Sequence, residues 1–126
     1  MKLRIRGDSL RLRLTQGEVR SLRETGSVVQ TTRFGPGNTL TYALVTEPRG
    51  EIVARFDAGR IEVALPLTAA TAWADGDEVG LRMDQTFENG ELSILVEKDF
   101  QCLAPRSGED DDDAFPHPGS ATGPSC

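Results

Sequence analysis

Leu10-Arg11-Leu12-Arg13-Leu14-Thr15-Gln16-Gly17-Glu18-Val19-Arg20-Ser21-Leu22 is answered, 51 residues further on, by Ile61-Glu62-Val63-Ala64-Leu65-Pro66-Leu67-Thr68-Ala69-Ala70-Thr71-Ala72-Trp73. Each segment opens with three aliphatic residues in strict alternation, the mark of a strand with one buried face. Each then changes to a helical pattern with a large apolar residue at the matching place, Leu22 or Trp73. In the first copy Thr15 and Glu18 have the spacing of a capping box, which starts a helix by satisfying two orphan amides reciprocally. Gly26 is placed to end that helix in the left-handed conformation. In the second copy Pro66 replaces Thr15, so a helix over 67–74 is expected to start on proline and stop at Asp75-Gly76.

The flanking sequence extends the match. Upstream, Lys2-Leu3-Arg4-Ile5-Arg6 alternates and breaks at Gly7-Asp8-Ser9, predicting a hairpin with the next run; Phe56 matches Ile5. Downstream, Val28 to Phe34 and Thr39 to Thr46 form a second pair around Gly35-Pro36-Gly37-Asn38. Leu40, Tyr42 and Leu44 recur as Leu92, Ile94 and Val96 after a one-residue slip, behind an Asn89-Gly90 hairpin signal. Simple alternation repeats only at even shifts, so an odd spacing of 51 carrying a helix in the same place indicates duplication.

The predicted fold is therefore α+β: two ββαββ units, 2–46 and 53–99, with about eight mostly antiparallel strands in an open sheet or barrel. Two short helices are expected to cover one face. The predicted core is Leu3, Ile5, Leu10, Leu12, Leu14, Leu22, Phe56, Ile61, Val63, Leu65, Trp73, Leu92, Ile94 and Val96. A chain of 126 residues suits one core, placed within residues 1–103. From 104 to 126 Pro, Gly, Ser, Asp and Thr dominate and Phe115 is the only large apolar residue. Such composition does not repay the entropy of ordering, so a flexible acidic tail is expected.

The net charge of −6 conceals a segregation. Residues 1–50 hold nine Lys/Arg against four Asp/Glu, and residues 51–100 hold four against eleven. Opposite halves should attract within the fold or between copies of it. The opening residues alternate charge with aliphatics and no run approaches the roughly 20 apolar residues of a membrane span, so no export and no membrane partner are expected. Cys102 and Cys126 cannot form a disulfide framework, which suits a reducing, cytoplasmic setting. Oligomeric state is left open.

No catalytic, metal or nucleotide signature emerges, and no cofactor is expected. His117, the only histidine, lies in the tail, where nothing fixes it within hydrogen-bond reach of a nucleophile. Glu97 and Asp99 share a strand face about 6.6 Å apart, a spacing that suits paired acid–base work or an ordinary solvated edge. Cys102, Asp110 to Asp113, His117 and Cys126 lack zinc or calcium ligand spacing. Two binding elements remain. Arg4, Arg6, Arg11 and Arg13 form an outward basic row that can contact an anion or the acidic tail. Nucleic acid is disfavoured there, since no stacking aromatics interleave with the arginines. In the tail, Asp112, Asp113, Phe115 and Pro116 have the form of a short linear motif for a protein partner. The leading expectation is a binding or adaptor module; the alternative is a small enzyme acting on an anionic or phosphorylated substrate through the arginines.

Glu97-Lys98-Asp99-Phe100-Gln101-Cys102-Leu103, the acidic run and Phe115-Pro116-His117-Pro118, taken with Lys2 to Leu14, Phe34-Gly35 and Thr41-Tyr42-Ala43-Leu44, resemble a family of small bacterial proteins with no assigned activity. That family's tail motif has Asn at the position of His117, which counts against histidine chemistry, and the resemblance brings no established activity, cofactor or partner with it. The opening strand also looks like that of triphosphate-tunnel enzymes, eight-stranded antiparallel barrels with Glu-x-Glu-x-Lys there. Lys2, Arg4 and Arg6 occupy the matching positions and cannot ligate a metal cation.

Overall fold

In the computed structural model, which describes residues 1–100, both strand–strand–helix–strand–strand units are present. The first contains β1 (Lys2–Ile5), β2 (Ser9–Leu14), α1 (Gln16–Thr25), β3 (Ser27–Gly35) and β4 (Asn38–Glu47). The second contains β5 (Val53–Asp57), β6 (Arg60–Pro66), α2 (Leu67–Asp75), β7 (Gly80–Phe87) and β8 (Gly90–Lys98).

The capping box on α1 is formed. The Thr15 hydroxyl accepts from the Glu18 amide at 3.3 Å, and the Glu18 carboxylate accepts from the Thr15 amide at 2.9 Å. Gly26, at φ 85°, ends the helix in the left-handed region and donates to the Leu22 carbonyl. α2 has no equivalent. The helix follows Pro66 and stops at Asp75-Gly76 as expected, but Pro66 makes no side-chain cap and Gly76 is extended rather than left-handed. Burial holds this helix instead: Trp73 is fully buried, and its indole N–H donates to the Val79 carbonyl at 3.1 Å.

The strands make two four-stranded sheets, ordered β1-β2-β8-β7 and β3-β4-β6-β5. Within each hairpin the pairing is antiparallel, whereas the central joints β2/β8 and β4/β6 are parallel. Each sheet thus takes one hairpin from each unit. A chain leaving β2 crosses through α1 to the other sheet, and a chain leaving β6 crosses back through α2. The two units are interlocked, and neither completes a sheet alone.

Parallel central joints bring all four hairpin turns to one end and both helices to the other. Turn carbonyls reinforce the joints symmetrically: Asp8 accepts from the Ser93 amide and Gly59 from the Thr41 amide, both at 2.9 Å. Leu12, Leu14 and Val96 from one sheet meet Leu44, Val63 and Leu65 from the other, with Leu22 and Trp73 plugging the helical end. The helices therefore close an end of a two-layer core, where one covered face was expected.

Neither sheet closes on itself, but side chains bridge the seams. Gln85 in β7 uses its amide as a strand residue would, accepting from the Ala54 amide at 2.7 Å and donating to the Ala54 carbonyl at 3.0 Å. On the opposite seam the Met1 amino group donates to Glu18 and, at 3.1 Å, to Gln30, while the Tyr42 hydroxyl donates to the Met1 carbonyl at 3.2 Å.

Leu3, Ile61 and Leu92 pack at the margin of the core. Ile5 and Phe56, expected inside it, are 59% and 73% exposed. Both do share the inward register, Ile5 opposite Leu10 and Phe56 opposite Ile61. They occupy the last inward level before the turns, and no helix covers that end.

Two glycines give opposite predictions. A Cβ on Gly80 would lie 2.9 Å from the Val96 carbonyl oxygen and 3.1 Å from Glu97 Cβ, whereas one on Gly17 in α1 would meet nothing within 4 Å. Gly80→Ala is expected to destabilise by about 1–3 kcal/mol through forced displacement of β8. Gly17→Ala is expected to stabilise by up to about 1 kcal/mol through helix propensity. Denaturant unfolding of both variants checks the signs.

Candidate functional site

The outward face of β1 and β2 carries Lys2, Arg4, Arg11 and Arg13, and the register sets Lys2 against Arg13 and Arg4 against Arg11. Like charges directly opposite destabilise a sheet pair. The parallel neighbour relieves this: Glu97 of β8 stands beside Arg13, and its Oε1 accepts from Arg11 Nε and Arg13 Nε, each at 2.7 Å. Lys2 Nζ pairs with Asp99 at 3.0 Å. The basic row thus divides. Arg11 and Arg13 are drawn into the sheet surface and mostly covered, while Arg4 and Arg6 stand exposed on the edge hairpin.

The second sheet carries the inverse arrangement. Arg55 of β5 bridges Glu47 of β4 and Glu62 of β6, both at 3.3 Å. Arg23 of α1 pairs with Asp75 of α2 at 3.2 Å. The pairs Arg11–Glu97, Arg13–Glu97, Lys2–Asp99, Glu47–Arg55 and Arg23–Asp75 each join the first unit to the second. Charge segregation along the chain is therefore satisfied across the interlocked halves.

Glu97 sits in a half-buried position that by itself raises a carboxyl pKa, but hydrogen bonds from Arg13 and Arg11 and their charges outweigh burial and hold it below the usual value. A carboxylate so held is a poor general base, and Asp99 is occupied by Lys2. The Glu97/Asp99 pair is a structural ion-pair network, not an acid–base couple. Among the described residues no group of three His, Cys, Asp or Glu side chains has a metal-holding arrangement. No helix there is long and apolar enough to cross a membrane. Asp112, Asp113, Phe115 and Pro116, with His117 and both cysteines, lie outside the described residues.

At the uncovered turn end, an apolar cleft of about 420 Å³ opens between the sheets, lined by Ile5, Leu10, Ala54, Phe56, Ile61 and Leu92. Gln85 forms its wall at the bridged seam, and Arg55 reaches its margin. Arg6, exposed, lies in sequence between Ile5 and Gly7, two of the lining residues. Phe34 and Phe87, at the ends of β3 and β7, are also exposed at this end of the molecule. A second depression of about 460 Å³ lies at the helical end between Val19, Arg20, Arg23, Asp75, Asp99 and Phe100. Both of its carboxylates are already engaged, Asp75 by Arg23 within the depression and Asp99 by Lys2 from outside it.

Sequence periodicity placed the arginines on the outside and Ile5 and Phe56 on the inside, both correctly as to face. Their equivalence at a spacing of 51 was the signal that they face one another across the same opening. Gln85 carries no such signal in the sequence, because its partner is the backbone of Ala54 on a strand that periodicity does not place beside it.

The Glu97 network has a pH signature. Because the folded pKa is depressed, its stabilisation is complete above the ordinary value of about 4.5 and is lost as pH falls below it. Glu97→Gln is expected to cost about 1–3 kcal/mol at pH 7, the worth of hydrogen bonds to a charged group. The gap to the wild type should close towards pH 3. Urea unfolding at the two pH values checks this; a gap independent of pH contradicts it.

No curated protein and no solved structure gives a significant match to the chain. A family model does, over residues 1–119, a span that takes in both units and the Phe115-Pro116 segment: the chain belongs to the family of unknown function DUF7009.

Proposed function

We propose that the protein is a non-enzymatic binding module that takes an extended protein segment carrying one aromatic side chain next to acidic residues. The observation that carries this reading is the pair Ile5 and Phe56. They are matching residues of the two units, both on the inward register, yet 59% and 73% exposed around an apolar cleft. An apolar opening between two rigid sheets suits a single aromatic anchor, which buries roughly 150–250 Å² on insertion. Arg4 and Arg6, exposed on the edge hairpin beside the opening, favour acidic flanks, which steer association and set orientation more than they add affinity. A reducing, cytoplasmic setting and a bacterial source accompany this reading from the sequence.

The competing reading, a small enzyme acting on an anionic or phosphorylated substrate, needs the arginines to converge on a pocket with a carboxylate base. Arg11 and Arg13 are instead committed to Glu97 on an open sheet surface, so binding is the better supported class.

The test uses the full chain carrying Phe115→Ala, so that its own tail aromatic does not compete, and a synthetic peptide with one Phe between Asp residues. Side-chain methyl NMR signals of Ile5, Ile61 and Leu92 should shift on titration, with a Kd near 0.1 mM, about the strength expected of a single anchor and a few rim charges. Phe56→Asp should abolish the shifts. Absent shifts, or shifts confined to the helical end, overturn the proposal.

A further inference from the structure

Resting on the reading above, we infer that the cleft's resident occupant is the chain's own segment Asp112-Asp113-Ala114-Phe115-Pro116, folded back so that Phe115 enters between Ile5 and Phe56 and the module is self-occluded.

Chain length permits this. The described chain ends at Phe100, beyond β8, at the helical end. Leu92, which lines the cleft, lies eight residues back along the same strand, about 26 Å away at strand rise. Fifteen residues separate Phe100 from Phe115, a contour of up to about 50 Å, so the return is within reach with slack.

The route is marked by charge. Asp99 is held beside Lys2, which places the exit of the chain at the start of β1. From there Lys2 and Arg4 lead along the outer face of β1, and Arg6 follows between Ile5 and Gly7, which line the cleft. Glu109 and Asp110 to Asp113 immediately precede Phe115, so the acids come in the order needed to lie on that row as the aromatic reaches the opening. Phe115 is the only large apolar residue after Leu103, which leaves one candidate anchor. Pro116 and Pro118 restrict the backbone around it and reduce the entropy lost on docking.

A tether of this length gives the segment a millimolar effective concentration at the cleft. Against a free peptide with a Kd of about 0.1 mM, self-occupancy weakens apparent affinity by about tenfold. A partner therefore binds only if it competes with the tail or if the tail is drawn away, and raised salt favours release by screening the acid–arginine contacts.

The experiment compares the full-length wild type with the full-length Phe115→Ala chain, using the same Phe-bearing acidic peptide. Without peptide, the methyl signals of Ile5, Ile61 and Leu92 should differ between the two chains, independently of protein concentration. The peptide should bind the wild type about tenfold more weakly, and the gap should shrink in 0.5 M salt. Identical spectra and affinities, with the peptide still binding Phe115→Ala, overturn self-occlusion and leave the binding site intact. Peptide binding to neither chain overturns the binding reading itself. A spectral difference that grows with protein concentration assigns the occupant to a second copy's tail and overturns the intramolecular form. Phe115→Trp, which keeps an aromatic anchor, should behave as the wild type; behaviour like Phe115→Ala contradicts docking.

Discussion

Two parallel strand joints, β2 with β8 and β4 with β6, hold this protein together. Every other pairing is a hairpin between neighbours in sequence. Without the joints, four two-stranded ribbons would remain, and an isolated hairpin is marginal in water. Each joint unites strands from different units, and β2 meets β8 across 84 residues of chain, Ser9 against Ser93. The apolar rows of β2 and β6 gain a core only when the other unit's hairpin is beside them. The two units thus form one interlocked object.

That constraint gives the charge distribution its physical meaning. The two units differ outside, the first basic and the second acidic, and the joints bring those exteriors side by side. Glu97 between Arg11 and Arg13, and Arg55 between Glu47 and Glu62, are the same solution with signs exchanged. The first matters more, because its side chains are largely covered; exposed pairs such as Arg55's contribute little. The same network draws Arg11 and Arg13 into the sheet surface, whereas the open turn end keeps Ile5 and Phe56 exposed around an apolar cleft.

Much of this was legible in the residues. Alternation and turn residues located the strands, repetition at 51 and then 52 residues tied them into two units, the Thr15/Glu18 box located a helix start, and the match to Leu22 put Trp73 inward. What could not be read follows from what periodicity measures. Alternation says which face a residue takes and nothing about which strand lies next to it, so the division into two sheets with parallel joints was hidden. It also says nothing about depth along a strand, which is why Ile5 and Phe56 read as core. Glu97 could have been matched to the arginines only with the β2/β8 register in hand, and Gln85 bonds to a backbone that sequence gives no reason to place beside it. The candidate site was thus visible as a pair of equivalent residues, and its openness was not.

Native-state hydrogen exchange on the full chain tests the interlocked architecture most directly. Amides of β2, β4, β6 and β8 are predicted to open with one common free energy and one denaturant dependence, because losing either joint unmakes both sheets. Exchange of the β1–β4 amides at a distinctly lower free energy than those of β5–β8, or the reverse, would show that one unit stands without the other and would contradict the account.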